Sequence, residues 1–95
     1  MLFMVAGYLK PGAEEQLINF RNEFSEHLAQ PPLVAGGALR DRDGRRRGYL
    51  GFIEAEDIAA AEQFLAQSPF YQNDLYDRVE VFRYDVEVGT VGQPG

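Results

Sequence analysis

The segment Met1-Leu-Phe-Met-Val-Ala-Gly-Tyr-Leu9 is apolar throughout and ends at Lys10-Pro11-Gly12. A short apolar run with so firm a stop suits a strand buried on both faces. Leu2, Met4, Ala6 and Tyr8 take one face, and Phe3, Val5, Gly7 and Leu9 take the other. Gly48-Tyr-Leu-Gly-Phe-Ile-Glu54 repeats the pattern, with Tyr49 and Ile53 set against Leu50 and Phe52. A chain of 95 residues must therefore find cover for both sides of two strands, and that requirement narrows its folds more than any other feature.

The other elements follow from periodicity and punctuation. A helix is expected from about Ala13 to Ala29, where Pro31-Pro32 stops it, with Leu17, Phe20, Phe24 and Leu28 as its apolar stripe. Leu33 to Leu39 reads as a strand that turns through Asp43-Gly44 into the strand at Gly48–Glu54. A second helix starts at an Asp57 N-cap and turns Ile58, Ala61, Phe64 and Leu65 inward. Ser68-Pro69 opens a further helical turn through Tyr71. Val79 to Val88 reads as a last strand whose apolar parity flips between Val81 and Phe82, so a bulge or a break is expected there. The outer piece of that strand could then pair with a second subunit. Gly89–Gly95, with three glycines and a proline in seven residues, reads as a flexible tail behind a single domain at 1–88.

The order β-α-β-β-α-β is that of an α+β, ferredoxin-like antiparallel sheet, in which the first and third strands are central. Two helices cover one face of such a sheet. The other would leave an apolar surface larger than monomers usually carry. Covering about 500 Å² of it would contribute about 12 kcal/mol before the costs of association. A C2 homodimer is the expected solution.

Composition removes several function classes. A net charge of −6 disfavours nucleic acid and anionic membranes as partners, and the chain contains no cysteine for disulfides, thiolate metal sites or thiol nucleophiles. Its one histidine cannot build a multi-histidine metal site within a chain, so no metal and no cofactor are expected. The apolar opening is too short to span a bilayer and has no basic segment before it, and with the lack of cysteine this reads as cytoplasmic. Five of the nine basic residues, Arg40, Arg42, Arg45, Arg46 and Arg47, crowd the hairpin. They could grip a carboxylate, or serve as solvated charges that keep a sheet edge from aggregating.

Several stretches together resemble the YCII-related proteins. They are the opening Met1-Leu-Phe, Leu33-Val-Ala-Gly-Gly37, Phe52-Ile-Glu-Ala-Glu-Asp57 before an alanine-rich helix, and Ser68-Pro69-Phe70 before Leu75-Tyr-Asp-Arg-Val-Glu-Val81. The resemblance spans roughly residues 1–85 and implies a dimeric α+β barrel. Some members resemble lyases that dehydrochlorinate ring intermediates of aromatic degradation, using a histidine on the first helix and an aspartate just before the proline that follows the second. Here Ser68 stands at the aspartate position, where it keeps a helix cap but not a carboxylate. The histidine position falls on His27, within His27-Leu28-Ala29, or on Asn19, depending on which end is anchored. Helical angle favours His27, and Glu23 four residues earlier would favour its imidazolium form.

The resemblance implies an enzyme in which His27 moves a proton on a small cyclic or carboxylated substrate and Ser68 donates a hydrogen bond. Arg40 and Arg42 would hold an anionic or aromatic ligand, and Tyr8 and Tyr49 would project hydroxyls toward it. The alternative is a noncatalytic dimeric binding or accessory module. Cofactor-free monooxygenases share the fold, but no residue set in the chain selects that chemistry.

Overall fold

The computed structural model describes residues 1–91. The elements are β1 (Leu2–Leu9), a 3-10 helix (Ala13–Phe20), α1 (Arg21–Leu28), β2 (Leu33–Arg40), β3 (Arg46–Glu54), α2 (Ile58–Ala66), α3 (Pro69–Gln72) and β4 (Tyr76–Arg83). The sheet order is β2-β3-β1-β4, and all three pairings are antiparallel, the ferredoxin-like arrangement. The two doubly apolar strands, β1 and β3, are indeed the central ones. Among the described residues no helix is long and apolar enough to cross a membrane.

The core lies between one sheet face and the helices. Phe3, Val5 and Ile53 point into it from β1 and β3, and meet Phe24, Ala61, Phe64, Leu65, Phe70 and Leu75. Asp57 caps α2 by accepting from the Ala60 N–H at 2.9 Å, and Ser68 caps α3 by accepting from the Phe70 N–H at 3.2 Å. The hairpin turns at Gly44, whose φ of 82° is the left-handed conformation that glycine adopts without strain. Asp41 closes that turn by accepting from the Asp43 and Arg45 N–H groups.

Three expectations need correction. The first helix is not one α-helix. It winds as a 3-10 helix to Phe20, whose ψ of 15° breaks the run before α1 begins. The stripe nonetheless survives, with Phe24 buried and Leu17, Phe20 and Leu28 half-buried.

The parity flip at Val81 and Phe82 is not repaired by a bulge. The ladder runs regularly from Val79 to Arg83 against Gly7 to Phe3, so Val81 faces the helices while Phe82 faces the open side, 56% exposed. The register shift in that pairing falls between Tyr8 and Leu9, leaving Asp77 as the extra residue on β4.

The last strand also ends at Arg83 rather than Val88. Among the described residues it is an edge strand paired only with β1, and its last backbone bond there is from the Tyr84 N–H to the Leu2 carbonyl at 2.9 Å. Of the expected tail, residues 92–95 lie outside the described residues.

Candidate functional site

A cavity of about 210 Å³ opens between the sheet and the helices. Its walls are largely apolar, built from Val5, Leu33, Phe24, Phe64 and Leu65, with His27, Tyr49, Ser68, Tyr76 and Arg46 as the side chains that carry chemistry. An engineered apolar cavity of about 150 Å³ holds benzene, so this space suits a single-ring molecule.

His27 lies in the last turn of α1, three residues after Phe24 on the same stripe. Its ring is 6% exposed and stacks on Phe64 of α2 with centroids 4.3 Å apart and an 18° tilt. The side-chain hydrogen bonds of the described residues involve neither ring nitrogen. Burial holds the imidazole below its ordinary value of 6.5. The expected pull of Glu23 toward the imidazolium is therefore not the dominant effect, since Glu23 is exposed to water while desolvation acts on the ring itself.

This sets a pH dependence. Just below pH 6.5 the folded chain binds fewer protons at His27 than the unfolded chain, so its stability is full above that pH and declines as pH falls toward the lowered folded value. Urea unfolding of the wild type should therefore lose stability between pH 7 and about 5.5. His27→Gln should remove that part of the loss. Parallel pH profiles for the two proteins would show that the ring titrates as if in water.

Ser68 is 2% exposed and does two jobs at once. Its oxygen accepts from the Phe70 N–H while the residue lines the cavity beside Tyr76. Tyr76 packs over Gly7, where a β-carbon would collide with the phenol ring, so a bare glycine backbone makes room for it. Burial pushes the Tyr76 phenol far above its ordinary value, the Ser68 hydroxyl opposes that, and the nearby Tyr49 phenol adds to it. Tyr76 is accordingly a neutral donor across the physiological range.

The anticipated site residues divide. His27, Ser68 and Tyr49 meet at the cavity. Asn19, the other candidate for the histidine position, is exposed on the 3-10 helix. Tyr8 stands on the opposite sheet face, where its hydroxyl donates to Glu80 at 2.8 Å and Arg78 lies 4.3 Å over its ring. Arg40 donates to the Gly44 carbonyl of its own turn at 2.7 Å, and Arg42 is exposed near the hairpin tip; neither lines the cavity. The hairpin arginine that does is Arg46, which donates to the Tyr49 hydroxyl at 3.0 Å. Arg46 is one of the five hairpin arginines expected to be able to grip a carboxylate, whereas Tyr76 is a polar lining residue that the sequence does not single out for the site.

Comparison with known proteins agrees with this architecture. The structure is similar to a 5-chloro-2-hydroxyhydroquinone dehydrochlorinase from Burkholderia phenoliruptrix, solved in complex with 2,5-dihydroxybenzoquinone. The two share 22% identity over 90% of this chain and 94% of that one, with a TM-score of 0.79. It is also similar to an antibiotic biosynthesis monooxygenase, at 21% identity over 90% and 98% of the two chains and a TM-score of 0.52. A cofactor-independent oxygenase from Streptomyces nogalater follows at 20% identity, covering 93% of each chain, with a TM-score of 0.50. No curated protein sequence matches. At these identities the likeness shows the shared α+β fold. The YCII-related domain model matches residues 1–85, the whole sheet and all the helices, and the chain belongs to that family.

Proposed function

We propose that this protein is an enzyme that moves a proton on a small single-ring substrate, with His27 as the base. One observation carries the reading: a buried imidazole, its pKa lowered by desolvation and its ring making no side-chain hydrogen bond among the described residues, borders a ring-sized cavity. A lowered pKa makes a weaker base but raises the share of molecules ready to accept a proton at neutral pH. Fold similarity to a dehydrochlorinase that binds a single-ring quinone supports the same chemistry.

In an elimination of that type, His27 takes a proton from a ring carbon. The released electron pair forms the new C=C bond as the leaving anion departs from the neighbouring carbon, and the imidazolium returns its proton to water. Negative charge developing on a ring oxygen would be met by the neutral Tyr76 phenol, the Ser68 hydroxyl and the Arg46–Tyr49 pair.

A second reading, a noncatalytic binding module, draws on a different observation. No carboxylate lines the cavity among the described residues, and Ser68 stands at the position where the resemblance to the family's lyases implies an aspartate. A base without an orienting partner is a poorer catalyst.

We also propose that the chain pairs as a homodimer through its open sheet face. Met4 lies between Phe52 and Phe82 there, and Tyr84 packs edge-on against Phe52 at 4.9 Å.

The chain has a single histidine, so its imidazole proton resonances can be followed without assignment ambiguity. A panel of hydroxyquinones, chlorinated phenols and aromatic acids should shift or broaden those resonances. Turnover of the compound that responds should fall about 10²- to 10⁴-fold in His27→Gln. Binding without turnover would favour the binding module, and resonances indifferent to the whole panel would defeat both readings.

A further inference from the structure

We propose that Arg46 and Arg21 form an anion-binding pair in an outer compartment of the site, so that its ligand is a ring carrying a carboxylate side arm. This rests on the reading that the inner cavity binds a ring, and it names the part of the ligand that the inner cavity does not hold.

A groove of about 560 Å³ adjoins the cavity and shares Phe24, Leu28, Arg46 and Tyr49 with it. A ligand crossing that shared wall would keep its ring beside His27 and its substituent in the groove. The groove brings together Arg46 from the start of β3 and Arg21 from the start of α1, the latter having no place in the inner cavity.

Neither guanidinium is in an ion pair among the described residues. The ion pairs of the described residues use Met1, Lys10, Arg47 and Arg83, while Arg40 is tied to its own turn. Arg46 gives one N–H to the Tyr49 hydroxyl and retains the rest of its fork. Two cations facing one groove, on a chain of net charge −6, select an anion against the field of the whole molecule.

The floor of the groove includes Ile18, 70% exposed, an apolar side chain that an aliphatic arm would cover. Glu14 also lines the groove, and its charge disfavours a dianion. A monoanionic carboxylate, matched to the planar fork of arginine, fits better than a phosphate ester.

The test compares phenylpropionate, phenyl phosphate and the neutral p-cresol by calorimetry and by the His27 resonances, at pH 7 and low salt. Phenylpropionate should bind about tenfold tighter than p-cresol, since a charge-assisted bond contributes about 1.5 kcal/mol or more. That ratio should fall toward one in Arg46→Gln, shrink in Arg21→Gln, and decline with added salt. Both arginines are exposed, so neither substitution threatens the fold.

Equal affinity for phenylpropionate and p-cresol, or a preference that survives both substitutions, would overturn the anion pair while leaving the ring site intact. Tighter binding of phenyl phosphate would overturn the choice of carboxylate. If p-cresol leaves the His27 resonances unmoved, the ring site itself fails, and this proposal fails with it.

Discussion

Phe70→Ala should destabilise the protein by about 3–5 kcal/mol, the range for deleting a buried phenylalanine ring. The ring is 2% exposed and stacks on Phe24 with centroids 4.0 Å apart and a 19° tilt. It also meets Tyr49 at 5.3 Å and the edge of Tyr76 at 6.3 Å. Its position is fixed from both sides by backbone bonds, since its own N–H caps onto Ser68 and its carbonyl accepts from Leu75 at 2.9 Å. The space left by the ring cannot be refilled without moving α3.

For a chain of 95 residues the total stability is about 5–14 kcal/mol, so this one truncation removes about a fifth of it or more. The melting temperature should drop by about 15–30 °C. Phe82→Ala is the matched control, because its ring is 56% exposed in the single chain and its loss opens no cavity. Urea midpoints for both variants at a protein concentration low enough to keep the chains apart make the comparison. A Phe70→Ala shift no larger than that of Phe82→Ala would show that the aromatic stack does not hold the core together.

Much of this architecture could be read from the sequence because local chemistry agreed with the global fold. Apolarity at both parities marked β1 and β3 as central strands. Asp57 and Ser68 marked two helix starts, and both caps form. The stripe through Phe24 brought His27 to the inner side of α1, and there the structure has it, buried.

The errors have equally specific causes. Tyr8 shares a face with Met4 and Ala6, and because both faces of β1 are apolar, nothing in the sequence says which one the helices cover. Tyr76 is three residues from Val79, so alternation alone assigns them to opposite faces. The extra residue at Asp77 reverses that and turns Tyr76 toward the helices. Arg46 was indistinguishable from four neighbouring arginines until the register shift at Leu39 and Arg40 and its bond to Tyr49 set it apart. His27 stacks on Phe64, on a different helix, and no window around the histidine contains that contact.

Phe82→Glu should convert a dimer into a folded monomer. On the open face Met4 pairs across the ladders with both Phe52 and Phe82, a continuous apolar row over three strands. Tyr84, itself 39% exposed, extends it against Phe52. Tyr8, Glu80 and Arg78 form a satisfied polar cluster on the same face. Such a cluster gives a C2 interface polar contacts that need no new partner.

A glutamate in the middle of the apolar row costs nothing in the separate chain, where residue 82 is open to water. In the pair it would bury a carboxylate from each chain in the apolar interface. Breaking an interface in that way costs several kcal/mol, so dissociation should strengthen by about 10³-fold or more. Sedimentation at micromolar concentration should give two subunits for the wild type and one for Phe82→Glu, with unchanged far-ultraviolet circular dichroism. A wild type that sediments as one subunit, or a variant that still pairs, would mean the apolar row is not what joins the chains. The same pair of proteins separates assembly from chemistry. The cavity lies between the sheet and the helices of a single chain, and a monomeric Phe82→Glu that still shifts His27 with ligand would show that the binding site does not depend on the partner.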